Sequence, residues 1–189
     1  MSALYDMMRI SPKTAVLDVG GTMFNWKLAG FMPDLTILNV CHPDSELPPG
    51  VKWVVGDARA MSFDDKSFEV VFSNSVIEHV GNWEDQKRFA EEVRRVGKCY
   101  FIQTPNYEFP IEPHLITPFV HWFPRRVQRA LLPICVRSLI ARSVFDAVRV
   151  YNEVRLLKPI DVKILFSDAE IMYESFFGLR KSIYAVKRC

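Results

Sequence analysis

The amino-acid sequence predicts an α/β domain built on an open, mostly parallel, doubly wound sheet. Three observations carry that expectation. Thr14-Ala-Val-Leu-Asp-Val-Gly-Gly-Thr22 reads as a strand buried on both faces that runs straight into a glycine turn. Further short apolar runs follow, with helix-spaced segments between some of them, the pattern of a parallel sheet. The C-terminal stretch alternates apolar and polar residues on either side of Gly178, as a hairpin does. With 189 residues, 49% hydrophobic and 24% charged, the chain suits one core, so a single domain over 1–189 is expected. A helical insertion is expected at about 106–158.

Residues 1–13 are expected to hold one helical turn. After the first strand, Gly20 and Gly21 allow a ligand to approach the backbone where a Cβ would block it, and ligands of open α/β sheets bind at such strand ends. Phe24, Trp26, Leu28 and Phe31 then follow at spacings a helix could bury. A dinucleotide fingerprint wants a third glycine where Met23 and Phe24 stand, and no Gly-Lys-Ser/Thr follows for a triphosphate loop. An adenosine ligand without phosphates fits better, and a tight turn without ligand is the plainer alternative.

Leu35–Val40 reads as the second strand. Asn39 lies nineteen residues beyond Gly20, about where an adenosine fold places an acid for the ribose hydroxyls. Val51–Val55 is the third strand, closed by Gly56-Asp57-Ala58. The Asp57 carboxylate suits an adenine amine, and equally an exposed turn. Met61 and Phe63 could cover a ring. Phe68–Asn74 is the fourth strand, with Ser73, Asn74 and Ser75 gathered at its end and Glu78-His79-Val80 beyond. Glu84–Val96 is expected as a helix with Phe89, Val93 and Val96 on one face. Lys98–Thr104 is the fifth strand, ended by Pro105-Asn106. A short helix is expected over Ile160–Phe166, then the hairpin strands Ala169–Phe176 and Lys181–Val186.

Between Pro105 and Pro133 fall six prolines, and from Pro113 to Phe145 there is no Asp, Glu or Lys. Arg125, Arg126, Arg129, Arg137 and Arg142 lie there among aromatic and aliphatic residues. One or two amphipathic helices are expected, packed on the domain with their arginines in water. The second reading is contact with a membrane surface through 115–142. The segment is too interrupted to span a bilayer.

The net charge of +2, with arginines confined to one insert, gives no basic stripe for nucleic acid, and none is expected as a partner. Cys41, Cys99, Cys135 and Cys189 are scattered without Cys-x-x-Cys spacing, so neither a zinc site nor a disulfide framework is expected, and no metal is assigned. Cys99 reads as a small buried hydrophobe. No secretion signal is expected, and a cytoplasmic setting follows. Oligomeric state is not legible.

Taken in order, Val16-Leu-Asp-Val-Gly-Gly21, Gly56-Asp-Ala58, Ser67-Phe-Glu-Val-Val-Phe-Ser-Asn-Ser-Val-Ile-Glu-His-Val80 and Thr104-Pro-Asn106 resemble class I S-adenosylmethionine-dependent methyltransferases. Within that family the chain resembles the small proteins typified by the methyltransferases of ubiquinone and menaquinone biosynthesis. The resemblance implies a Rossmann-like sheet of seven strands in order 3-2-1-4-5-7-6, strand seven antiparallel, with helices on both faces. It implies S-adenosyl-L-methionine as cofactor, S-adenosyl-L-homocysteine as product, and methyl transfer to a small-molecule, lipid or glycan-precursor acceptor. Asp18, Gly20 and Gly21 fall at the amino acid and sulfonium end, Asn39 at the ribose, Asp57 and Ala58 at the adenine, and Asn74 and Ser75 at the methionyl side. The chain departs from the family in its thinned glycine pattern and in Asn39, which replaces an acid. A methyltransferase-like binding or scaffold protein without catalysis is the alternative.

Methyl transfer is an in-line displacement, for which a protein mainly supplies proximity and alignment. A hydroxyl nucleophile would also need a base. His79 and His114, each following the end of a central strand, are the catalytic candidates, with Glu78 and Glu112 placed to orient them. Asn106, Glu112, Trp122, Arg125 and Arg126 are expected on the substrate side.

Overall fold

The computed structural model describes residues 2–27 and 29–189. In chain order the principal elements are α1 (Ser2–Met8), β1 (Ala15–Val19), α2 (Met23–Lys27), β2 (Asp34–Asn39), β3 (Lys52–Val55) and β4 (Phe68–Asn74). There follow α3 (Trp83–Val96), β5 (Gly97–Pro105), β6 (Ile111–Glu112), β7 (Thr117–Pro118), α4 (Arg125–Leu131), α5 (Val136–Ala141), α6 (Val144–Glu153), α7 (Pro159–Leu165), β8 (Glu170–Phe176) and β9 (Leu179–Lys187).

The main sheet has the order β3-β2-β1-β4-β5-β9-β8. Leaving out the separate β6-β7 ribbon, this is the expected 3-2-1-4-5-7-6. The first five strands are parallel, and β9 enters antiparallel against β5, pairing Phe101 with Val186 and Thr104 with Ile183. The reversal places the β8-β9 turn on the side of the sheet where β1, β4 and β5 end.

Alternation along the strands builds two cores, because successive side chains point to opposite faces. Val16, Leu35, Ile37, Val70 and Phe72 face α1 and α2, whose Leu4, Tyr5, Met8 and Trp26 cover them. Leu17, Val71, Tyr100 and Ile102 face α3 and α7, with Phe89, Val93, Val96 and Leu165 packed against them. Asn82 starts α3 with a capping box: its side chain accepts from the Glu84 and Asp85 amides, and Asp85 accepts in return from the Asn82 amide.

Several expectations are corrected. The N-terminal segment is a seven-residue helix rather than a single turn, and its apolar face is what completes the first core. The helix after β1 has only five residues, so it buries Trp26 and leaves Phe24 exposed at 72%. Leu28, expected on the same helix, lies outside the described residues. Cys99 is not a free hydrophobe but is bonded to Cys189, with the two Cα atoms 5.3 Å apart. The antiparallel register pairs Tyr100 with Lys187, and so delivers Cys189 to Cys99 across 90 residues of sequence.

The insertion after β5 forms a small core of its own from Leu115, Val120, Leu132, Cys135, Ala147, Val150 and Tyr151. Tyr107 donates to the Leu157 carbonyl and closes the base of the insertion, and Arg155 donates to the carbonyl of Glu78 just beyond β4. Among the described residues no helix is long and apolar enough to cross a membrane.

Candidate functional site

β1 ends at Val19, and Gly20 donates to the Leu38 carbonyl at 2.7 Å with a positive φ of 73°. A Cβ on Gly20 would lie 2.6 Å from a Val76 methyl, so the position is closed to other residues on both counts. Asp18 points beneath this turn and is fully buried. Its Oδ2 accepts from the Trp26 indole at 2.6 Å, while Oδ1 has no partner. Burial pushes the Asp18 carboxyl up to about 7, against the opposing pull of the Trp26 hydrogen bond. Gly21 lies directly over the carboxylate, where any Cβ would collide with it.

Beside the turn, Gly20, Leu38, Asn39, Gly56, Asp57, Ala58, Ser75, Val76 and His79 line a groove of about 320 Å³. Asn39 holds the turn in place, its amide donating to the Gly21 carbonyl at 2.9 Å and its oxygen accepting from the Cys41 amide at 3.2 Å. Asp57 is gripped by Arg59, whose Nη2 stands 2.7 Å from Oδ2 and whose Nε reaches both oxygens at 3.0 Å. That hydrogen bonding holds the Asp57 carboxyl below its ordinary range. The same guanidinium reaches Asp85, pinning the loop to the start of α3.

Ser75 borders both this groove and a larger cavity of about 1190 Å³ at the ends of β4, β5 and β9. The larger cavity is walled by Tyr5, Phe31, Asn74, Phe101, Asn106 and Tyr184, among others. Ser75 adopts a positive φ of 57° and is held there by Gln103, through its amide to the backbone carbonyl at 3.0 Å and its hydroxyl to Oε1 at 2.9 Å. Asn106 is buried and braces β9, donating to the Arg180 carbonyl at 2.8 Å.

At the rim of the groove, Glu78, His79 and His114 converge, with one ligand-capable atom from each lying within 4.8 Å of the others. The two imidazole rings stand edge to face, centroids 4.9 Å apart. Glu78 Oε2 accepts from the Thr104 hydroxyl at 3.0 Å, and its buried Oε1 has no hydrogen-bond partner. Burial pushes Glu78 up to about 7, opposed by its backbone and Thr104 hydrogen bonds and by the nearby His114. Burial also lowers the His79 pKa, and His114 adds to that effect. Glu112, almost fully buried in β6, lies 2.8 Å from His114 Nδ1 and accepts from the Leu115 amide.

The predicted site residues therefore separate into groups. Gly20, Asn39, Asp57, Ala58, Ser75 and His79 share the groove, while Asn74 and Asn106 line the larger cavity. Asp18 and Gly21 lie behind the groove and shape its turn. Glu112 and Arg125 line a third cavity of about 250 Å³ inside the insertion, with Arg125 5.3 Å over the Tyr151 ring. Trp122 donates its indole to the Tyr107 carbonyl at 3.0 Å, and Arg126 is exposed on α4. Sequence reasoning missed Arg59 as the partner of Asp57, although a two-residue spacing in one loop was a signal. It also missed Gln103, whose tie to Ser75 crosses two strands and leaves no local trace.

A glycine-turned groove at the ends of β1, β2 and β3, in a sheet that finishes with an antiparallel hairpin, defines the class: this is the class I methyltransferase fold. Residues 26–99 match the methyltransferase-domain family. The match runs from the end of α2 to the start of β5. A SAM-dependent methyltransferase from Methanosarcina mazei is similar in structure, with a TM-score of 0.60 over 98% of this chain and 95% of that one at 13% identity. So is phosphoethanolamine N-methyltransferase 2 of Haemonchus contortus in complex with S-adenosyl-L-methionine, with a TM-score of 0.59 over 91% of this chain and 37% of that one at 12% identity. In sequence, an uncharacterized protein of Mycobacterium tuberculosis is 39% identical over 126 residues. That match takes in 60% of this chain and only 43% of the relative, so the chain spans less than half of the curated protein.

Proposed function

We propose that this chain binds S-adenosyl-L-methionine and transfers its methyl group to a small-molecule or lipid-like acceptor. The observation that carries the reading is the groove itself. Its walls bring together, from four separate strand ends, Gly20, Asn39, Asp57 and Ala58, and Ser75, the positions at which the family holds its cofactor. The fit extends to a buried acceptor without a partner, Asp18 Oδ1, under the turn that would face the amino acid end. The bound cofactor supplies an electrophilic methyl group on a sulfonium.

The chain's own residues do the rest. Asn39 keeps the glycine turn at its working distance, and Asp57, oriented by Arg59, presents a fixed carboxylate edge to the adenine end. Ser75 marks the junction where groove and large cavity meet, so an acceptor in the cavity lies next to the methyl group. The cavity's Phe31, Phe101 and Tyr184 suit an apolar acceptor body, and Asn74, Asn106 and Lys181 suit its polar end. His79 and His114 stand where an acceptor hydroxyl would be oriented and relieved of its proton. The insertion closes the acceptor side and limits water at the reacting centre.

One observation favours a second reading, a methyltransferase-like binding protein without catalysis. Asn39 and Asp57 already hold protein partners, Gly21 and Arg59. Titration with S-adenosyl-L-homocysteine followed by a methyl-transfer assay separates the two readings: binding without turnover on any acceptor supports the second. As for compartment, a cytoplasmic setting is weighed against the Cys99–Cys189 bond, since disulfides persist mainly in oxidising surroundings.

A further inference from the structure

We propose that Glu78, His79 and His114 form a binding site for a divalent transition-metal cation at the junction of the cofactor groove and the acceptor cavity. Two imidazoles and one carboxylate on neighbouring elements are the donor set of the two-histidine-one-carboxylate sites, which leave positions open for an exogenous oxygen ligand. The three ligand atoms already lie within 4.8 Å of one another, and His114 Nε2 is 3.9 Å from Glu78 Oε1.

Three further features point to a cation rather than to a chance cluster. First, Glu78 Oε1 is a buried carboxylate oxygen without a hydrogen-bond partner, 3.9 Å from His114 Nε2. Thr104 holds the other oxygen at 3.0 Å, which fixes the direction in which the free one points. A buried acceptor without a partner forfeits its hydration and demands an explanation. Second, Glu112 holds His114 Nδ1 at 2.8 Å and is itself fixed by the Leu115 amide. A carboxylate accepting from Nδ1 favours the tautomer whose Nε2 lone pair is open on the Glu78 side. This is the carboxylate–histidine–metal arrangement of known metal sites. Third, the His79 ring makes no hydrogen bond among the described residues, and it is exposed at the wall of the groove.

Position gives the site its use, and this part rests on the methyltransferase reading. His79 borders the groove, while Pro113, next to His114, borders the large cavity. A cation held between them would bind an oxygen of the acceptor, a hydroxyl, phenol or carboxylate, and orient it toward the methyl group. His79 and His114 then act as ligands instead of free bases, and acceptors bearing a pair of oxygens are the class selected.

The test uses the full chain in a Cys41→Ser background, so that the exposed thiol cannot bind metal. Cobalt(II) chloride is titrated into chelator-treated protein by calorimetry and by visible ligand-field absorption. One equivalent should bind with a ligand-field band, and His114→Gln together with His79→Ala should abolish it. Glu112→Gln, which keeps every ligand, should weaken binding by about 10–100-fold. Circular dichroism melts identify any variant that fails to fold, and the exposed His79→Ala alone then decides. Absence of cobalt binding at millimolar metal overturns the proposal, as does binding that survives the histidine substitutions. S-adenosyl-L-homocysteine titrated in parallel keeps the two ideas apart: its binding without cobalt sinks the metal site alone, and the reverse sinks the methyltransferase reading alone.

Discussion

The side-chain amide of Asn39 donates to the carbonyl of Gly21 at 2.9 Å, joining the end of β2 to the glycine turn after β1. An aspartate at this position has no proton to give at neutral pH and would set a carboxylate against that carbonyl. An acid at this position therefore weakens the turn as built. Asn39→Asp is expected to lower stability by about 1–3 kcal/mol, the cost of breaking a part-buried hydrogen bond and leaving its acceptor unpaired. Urea denaturation gives that number, and S-adenosyl-L-homocysteine affinity is expected to fall with it. A variant as stable as the parent with tighter binding would show that Asn39 is a weakened ribose ligand and not a brace.

Asp57 offers the adenine end a carboxylate that Arg59 already orients. Asp57→Ala should weaken S-adenosyl-L-homocysteine binding by about 1–3 kcal/mol. Because the Arg59 guanidinium keeps its contact with Asp85 at 3.1 Å, the loop should stay attached to α3. Calorimetry reads the affinity, and an unchanged melting temperature confirms that the fold is intact. Unaltered affinity would place the adenine elsewhere.

Asp18 gives stability a pH dependence. Its folded carboxyl titrates at about 7 because burial disfavours the charge. An acid with a raised folded pKa holds its proton more tightly when folded. Its contribution is full below about pH 4, the unfolded value, declines as pH rises, and is lost above about pH 7. Asp18→Asn should therefore remove a slope of about 1.4 kcal/mol per pH unit between those limits and be relatively more stable above neutrality. Urea midpoints across the range, parent against variant, measure it. Parallel curves would show that Asp18 stays ionised throughout.

The fold was legible wherever the signal was local. Val16 beside Leu17 and Val70 beside Val71 read as strands buried on both faces, and each pair divides between the two cores. The β8-β9 hairpin was legible from alternation around Gly178. The site was legible only in part. Asp18, Asn39 and Asp57 could be placed at strand ends, but what each side chain grips could not, because Trp26, Gly21 and Arg59 are partners of geometry rather than of pattern. Glu78 and His114 lie 36 residues apart, and only the return of β5 and the β6-β7 ribbon brings them together. The Cys99–Cys189 bond depends likewise on a register that no spacing announces.

The insertion bears a surface of its own. Arg125 and Arg126 are exposed on α4 with Arg129 a turn later, and Phe119, Trp122, Phe123 and Val127 are exposed close by. Reversing the three charges to glutamate should leave S-adenosyl-L-homocysteine affinity unchanged, since none of the three lines the cofactor groove. Turnover on an anionic acceptor, or sedimentation with anionic liposomes, should fall. Size-exclusion chromatography is the control: a change confined to oligomeric state would make this face a contact between chains.

An adenosine-bearing cofactor is expected in the groove between Gly20, Asn39, Asp57 and Ser75. Isothermal titration of the native chain with S-adenosyl-L-homocysteine tests it most directly. One saturable site is expected, weakened by Asp57→Ala and indifferent to charge reversal on α4. No heat of binding at millimolar ligand, from protein shown to be folded, would contradict it.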